Sequence, residues 1–327
     1  MSTNSQSIRH LVSIKDLTDE EFKALVDRAA HFKNVFKNGD LQQRQEQQNK
    51  LIGRTVAMLF SKRSTRTRIS TEGAAAFFGA HPMFLGQHDI QLGVNETPYD
   101  TARVISSMAA CIFARVNAHQ DITDLTAAST VPVINALCDK FHPLQAICDM
   151  LTIKEQLDYT KSKLKLAWVG DANNVIHDMS VAALKVGMDV AVATPVSLAM
   201  DADVVAAAQS VAAKNGCTLT LTNDPKEACK DAHVIVTDTF ISMGEEDLRD
   251  KKLKQFQGFQ VNTELCALAA PNHKFMHCLP RHCEEVTDSV FYGPHSIVFE
   301  EAENRLYAAM AVVDIFVNHK GDFFSAP

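Results

Sequence analysis

The segment Ser61-Lys-Arg-Ser-Thr-Arg-Thr-Arg68 mixes hydroxyls with cations and follows directly on the apolar run 55–60. Where such a loop opens a helix, the free backbone N–H groups, the hydroxyls of Ser64, Thr65 and Thr67 and the guanidinium of Arg66 make a phosphate cradle without the glycines of a P-loop. A solvated basic run or a nucleic-acid patch has the same composition. Its place between an apolar strand and an apolar helix favours the cradle.

Two further loops carry groups suited to a carbonyl oxygen. Arg115 closes the apolar run 111–114, and His142-Pro-Leu-Gln145 follows the run 131–134 through Asp139. An arginine and a helix-start histidine can both donate to a developing oxyanion. Taken singly, each also fits a helix cap or a surface cation.

Gly170-Asp-Ala-Asn-Asn174 stands where a dinucleotide fold would carry Gly-x-Gly-x-x-Gly. Two amides replace the glycines, which suits a polar zwitterion and disfavours NAD. Asp238-Thr-Phe-Ile-Ser-Met-Gly244 offers a carboxylate on a glycine-containing loop, or an ordinary turn. His277-Cys-Leu-Pro-Arg-His-Cys283 invites a zinc reading. Adjacent residues on a strand point to opposite faces, however, and no second ligand pair lies at finger spacing, so no metal is expected here. A hydrolase with Cys278 as nucleophile, activated by a histidine, is the stronger rival.

Elements must hold these loops. Thr18 and Glu21 make a capping box, and Phe22, Leu25, Val26, Ala29, Phe32 and Phe36 recur at helical spacing, which predicts an amphipathic helix ended by Gly39 and the glutamine-rich stretch to Gln48. Strand-like runs at 55–60, 82–85, 111–114 and 131–134 then alternate with helical patterns at 69–78, near 102–108 and at 142–157. After the polar stretch 158–163 the alternation restarts, with strands at 164–169, 189–193, 218–221, 234–236 and 274–276 and a last helix over 301–317. This is the pattern of an α/β protein with two doubly wound parallel-sheet domains and right-handed crossovers. The domains are expected at 1–150 and 151–300, linked by helices, with the helix at about 301–319 packing back on the first. Ligands in such sheets bind at the carboxyl ends of strands, so the crevice between the two sets is the expected site.

Composition limits the partners. With 327 residues, 46% hydrophobic and 22% charged, the chain is near globular averages, which excludes long disorder, collagen or a coiled coil. Acidic side chains outnumber basic ones 39 to 32, a formal net charge of -7, so neither nucleic acid nor an anionic membrane surface is an expected partner and any anion must be held by a local cluster of donors. The eight cysteines form no Cys-x-x-Cys pair, which suits thiols in a reducing, intracellular compartment. No apolar run approaches the roughly 18 residues of a membrane span. Residues 1–15 lack acids and a signal-peptide core, a composition compatible with the mitochondrial matrix or the cytoplasm.

Together, Ser64-Thr-Arg-Thr67, His142-Pro-Leu-Gln145, Asp238-Thr-Phe-Ile-Ser-Met-Gly244 and His277-Cys-Leu-Pro280 resemble the ornithine carbamoyltransferases. The first two groups are shared with the wider transcarbamoylase family, aspartate enzymes included, and imply carbamoyl phosphate as donor. The last two look like the ornithine branch, and the likeness runs from about residue 8 to 317, with the fungal enzymes nearest. The resemblance implies that Ser64, Thr65, Arg66 and Thr67 hold the phosphate, and that Arg115 and His142 hold the carbamoyl oxygen. Gln145, the backbone around Cys278 and Leu279, and Arg305 would hold the carbamoyl amide. Asn174, Asp238, Ser242 and Met243 would meet L-ornithine, with Cys278 and Asp238 near the reacting amine. It further implies transfer to the δ-amine giving L-citrulline and phosphate, a step of arginine biosynthesis that needs no metal or organic cofactor, with domain closure once both substrates are bound. The implied assembly is a homotrimer in which Gln91, in the loop Asp89-Ile-Gln-Leu-Gly93, reaches a neighbouring subunit's phosphate, and an arginase is admitted as a regulatory partner. A cysteine hydrolase, a transcarbamoylase with another amino-acid acceptor and a catalytically silent ligand-binding relative are the alternatives.

Overall fold

Strands covered by helices on both faces read as continuous apolar runs, and such runs build both sheets apart from one exposed edge strand in each. The computed structural model describes residues 8–87, 96–241, 247 and 249–324. They divide into two units, Met1–Cys148 with Asn304–Pro327, and Asp149–Glu303.

In the first unit, β1 (Thr55–Phe60), β2 (His81–Gly86), β3 (Cys111–Arg115) and β4 (Val133–Leu137) form a parallel sheet in the order β2-β1-β3-β4. The helices are α1 (Asp19–Asn38), α2 (Leu41–Gln48), α3 (Thr65–Phe77), α4 (Pro98–Met108), α5 (His119–Ala128) and α6 (Pro143–Leu157). The predicted capping box starts α1: Thr18 Oγ1 accepts from the Glu21 N–H at 3.1 Å, and Glu21 Oε2 accepts from the Thr18 N–H at 2.8 Å. Phe22, Leu25, Val26, Ala29 and Phe32 bury its apolar stripe.

The glutamine-rich stretch does not simply end α1. It forms α2, capped by reciprocal bonds between Asp40 and Gln43, and buries none of its residues. A helix without an apolar stripe leaves no periodicity to read, and here only the cap marks it.

In the second unit, β5 (Lys165–Val169), β6 (Asp189–Ala193), β7 (Leu219–Thr222), β8 (Val234–Thr237) and β9 (Lys274–His277) run parallel in the order β7-β6-β5-β8-β9. Around them are α7 (Asn174–Lys185), α8 (Ala202–Asn215), α9 (Pro225–Cys229), α10 (Arg249–Gln255), α11 (Thr263–Cys266) and α12 (Asp288–Phe291). The chain crosses the unit boundaries inside α6 and inside α13 (Val298–Val312). The expected straight helix to residue 317 instead gives way to π-helical turns over Val313–Asn318. There Asp314 is wholly buried and paired with Arg28 at 2.6 Å and Lys50 at 3.0 Å. A buried carboxylate is tolerated only with such partners.

Each sheet reverses its winding once, between β1 and β3 in the first and between β5 and β8 in the second. Ligands of open α/β sheets bind beyond the carboxyl ends of the strands at that reversal. The loops carrying Ser64–Thr67, Arg115, Asn173 and Asp238 all follow those four strands. Among the described residues the cysteines form no disulfide, and no helix is long and apolar enough to cross a membrane.

Candidate functional site

In the first unit the cradle is built by register and capping. Phe60 at the end of β1 pairs with Arg115 at the end of β3, and the Ser61 N–H donates to the Arg115 carbonyl at 2.8 Å. Ser64 caps α3 by accepting from the Thr67 N–H at 3.3 Å, so Thr65, Arg66 and Thr67 occupy the first turn, where the helix dipole favours an anion. Arg305 joins the cradle to α6. Its Nη1 donates to Gln145 Oε1 at 2.6 Å and contacts His142 Nε2 at 3.1 Å, while Nη2 donates to Thr67 Oγ1 at 3.2 Å. Thr67, Arg115, His142, Gln145 and Arg305 are all buried.

A guanidinium is always a donor, so His142 Nε2 is the acceptor and the imidazole proton sits on Nδ1. Burial, then the charges of Arg305, Arg115, Arg66 and Lys62, hold His142 well below the ordinary imidazole pKa. The histidine is therefore a neutral N–H donor among cations. Lys62, which sequence reasoning left as part of the loop, belongs to this charge cluster. Its pKa is lowered by burial and then by Arg115, against the opposing pull of Asp139. The charge and donors of this assembly suit a compact anion with a polarised oxygen.

In the second unit Asn173 meets the Asp238 carboxylate. Asn173 caps α7 through Oδ1, and its Nδ2 donates to Asp238 Oδ2 at 2.8 Å. Asn174 occupies the first helical position of α7. Two adjacent amides are equivalent in sequence, and only the cap geometry separates them. The loop is fixed by Trp168, whose Nε1 donates to the Asp171 carbonyl at 3.0 Å, and by Lys252 of α10, whose Nζ donates to Asp171 Oδ2 at 3.0 Å.

The Cys278 thiol donates to Asp238 Oδ1 at 3.2 Å. Burial, then the negative charge of Asp238, push the thiol well above its ordinary pKa. A protonated thiol hydrogen-bonded to a carboxylate is the opposite of an activated nucleophile, which counts against a cysteine hydrolase.

Contrary to expectation, His277 and Cys278 are not set on opposite strand faces, because β9 ends at His277 and Cys278 lies beyond the alternation. Asp238, His277 and Cys278 each offer a ligand atom, all within 4.8 Å of one another. Both nitrogens of His277 are engaged, however. Nδ1 accepts from the Leu279 N–H at 2.9 Å, and Nε2 faces Glu285 Oε1 at 3.2 Å. A metal ion there would have to displace one of these and deprotonate the thiol. Gln91, Ser242 and Met243 lie outside the described residues.

The sheet order and the cationic first turn of α3 define an α/β protein with an anion cradle in its first unit and a carboxylate-centred cluster in its second. The aspartate/ornithine carbamoyltransferase carbamoyl-P binding domain matches residues 9–155, and the aspartate/ornithine binding domain of the same family matches residues 162–316. The chain belongs to the aspartate/ornithine carbamoyltransferase family, as the four motifs led us to expect. It is 62% identical to the ornithine carbamoyltransferase of Saccharomyces cerevisiae, with 99% of each chain covered. It is 57% identical to the mitochondrial ornithine transcarbamylase of Pachysolen tannophilus, over 96% of this chain and 90% of that one. Among solved structures it resembles a mitochondrial ornithine carbamoyltransferase from Coccidioides immitis with a TM-score of 0.88 and 51% identity, covering 97% of this chain and 99% of that one.

Proposed function

We propose that the chain transfers the carbamoyl group of carbamoyl phosphate to the δ-amine of L-ornithine, giving L-citrulline and phosphate for arginine biosynthesis. The observation that carries the choice of acceptor is the Asp238 carboxylate, held by Asn173 and Cys278. A fixed anion attracts an amino acid with a second amine and repels the side-chain carboxylate of aspartate. The identity to the Saccharomyces enzyme supports the same reading.

In this reaction Ser64, Thr65, Arg66 and Thr67 hold the phosphate, and Arg66 with the start of α3 offsets charge on it as it leaves. Arg115 and the Nδ1–H of His142 donate to the carbamoyl oxygen as negative charge grows there. Gln145, Arg305 and the backbone of Cys278 and Leu279 orient the carbamoyl amide. Asn174, with Ser242 and Met243, receives the α-amino and carboxylate end of ornithine, and the neutral δ-amine attacks near Asp238 and Cys278. The charges balance without a metal or an organic cofactor. Incubation of the purified chain with carbamoyl phosphate should release phosphate and form citrulline with ornithine and not with aspartate. Release that does not depend on any amino acid would refute transfer.

Cys278 assists and does not react covalently. Cys278→Ser should therefore keep measurable turnover while using ornithine less well. In rapid-quench mass spectrometry of the wild type, no thiocarbamate should form and decay at the turnover rate; finding one would restore the hydrolase-like mechanism.

We further propose a homotrimer with Gln91 contributed from the neighbouring subunit. Beside the edge strand β2, a groove of about 540 Å³ is lined by Met83, Leu85, Val104, Ile105 and Met108, with Met108 71% exposed. Apolar surface of this kind suits a second copy of the chain. Sedimentation equilibrium should return three chain masses, and a monomer that remains fully active would contradict the shared site. An arginase partner rests on the resemblance alone, and the placement in mitochondrial matrix or cytoplasm rests on the cysteine usage and the names of relatives such as the Pachysolen enzyme.

A further inference from the structure

The motif that first suggested zinc contains a histidine that the proposed reaction leaves unused. His277 is completely buried at the end of β9, and its two nitrogens are committed in different directions. Because the Leu279 N–H donates to Nδ1, that nitrogen carries the lone pair and the proton belongs to Nε2. Nε2–H then points to Oε1 of Glu285, a residue only 1% exposed. The same carboxylate oxygen accepts from the His282 N–H. The ring and its carboxylate thus grip the turn at Leu279 and again at His282.

Leu279 is the residue that needs holding. Its φ is +62°, in the left-handed region where a Cβ is crowded. A leucine persists there only when its surroundings dictate it, and such residues gather at functional sites. The bond from its N–H to His277 supplies part of that constraint, and Glu285 fixes the tautomer and rotation of the ring in the way a carboxylate orients a ligating histidine. Cys278, between the two, has its thiol on Asp238.

We propose that His277, oriented by Glu285, is a positioning residue for the transfer. It holds the Cys278–Leu279 turn in the left-handed shape that presents the turn's backbone to the carbamoyl amide and the thiol to Asp238. This inference rests on the carbamoyl transfer proposed above.

Two substitutions separate positioning from the filling of space. In His277→Asn, the side-chain oxygen can accept from the N–H two residues on, an Asx turn, and so replaces Nδ1 while losing its reach to Glu285. His277→Gln fills more of the ring's volume and reaches Glu285 but forms no such turn. Under positioning, the Gln variant should lose about 10²-fold in kcat, the scale of a misaimed site, and the Asn variant should exceed it by about tenfold or more. Carbamoyl phosphate affinity, measured by calorimetry, should change little in either, with melting temperatures recorded alongside. A Gln variant that equals or exceeds the Asn variant would overturn the proposal. Failure of both to fold would do the same, since the ring's role would then be structural. If the wild type itself makes no citrulline, the transfer reading has failed instead.

Discussion

Arg66→Ala should weaken carbamoyl phosphate binding by about 10³-fold or more in calorimetric titration, the scale seen when one partner of a buried charge pair is removed. Arg66 sits in the first turn of α3, next to the hydroxyls of Thr65 and Thr67 and the cap at Ser64. Its charge is felt at His142 together with those of Arg305, Arg115 and Lys62. A pocket that gathers four cations around a neutral imidazole is completed by an anion, and the phosphate is the anion of matching size and charge. Arg66→Lys should also bind poorly, because a point charge cannot reproduce the planar, two-pronged contact of a guanidinium. Undiminished donor affinity in a folded Arg66→Ala variant would refute the cradle.

His142→Ala should leave donor binding largely in place and reduce kcat by about 10²- to 10³-fold, the cost of deleting one oxyanion donor. The tautomer assigns the role: Arg305 occupies Nε2, so Nδ1–H is the donor available to the carbamoyl oxygen. Its depressed pKa has a consequence for pH as well. Burial and the neighbouring cations favour the neutral imidazole, so acid inactivation between about pH 6 and 9 reflects protonation of the δ-amine, whose free pKa lies near that of lysine. A kcat that falls with a His142 titration in that window, absent from the alanine variant, would contradict a neutral donor.

The distribution of apolar runs made both sheets legible in the sequence, because parallel strands buried on both sides leave continuous apolar segments. The cap of α1 was equally plain, since Thr18 and Glu21 make both reciprocal bonds. What escaped was structure without periodicity or fixed spacing. α2 buries nothing and is marked by Asp40 and Gln43 alone. The end of β9 falls at His277, one residue before the point at which a strand argument about Cys278 would have held.

The candidate site was visible as loops and hidden as contacts. Ser64 to Thr67, Arg115 and Asp238 could be placed after strands, but the winding reversal within each sheet, which sets the loops of that unit side by side, depends on strand order, which no local pattern records. Arg305 reaches Thr67 and His142 across 238 and 163 residues of chain. It was assigned through the family resemblance, because nothing in its own segment announces the contact. That Asn173 caps α7 and reaches Asp238 was hidden as well, since a cap is a backbone geometry and not a residue type.

The most direct test of carbamoyl transfer to a diamino acid is a competition in one vessel. Purified protein is given carbamoyl phosphate with equal concentrations of ornithine, lysine and aspartate, and the carbamoylated products are separated by mass. Citrulline should dominate, with carbamoyl-lysine minor because its chain is one methylene longer and carbamoyl-aspartate absent because its carboxylate meets Asp238. Carbamoyl-aspartate as the main product, or phosphate release with no carbamoylated amino acid, would contradict the account.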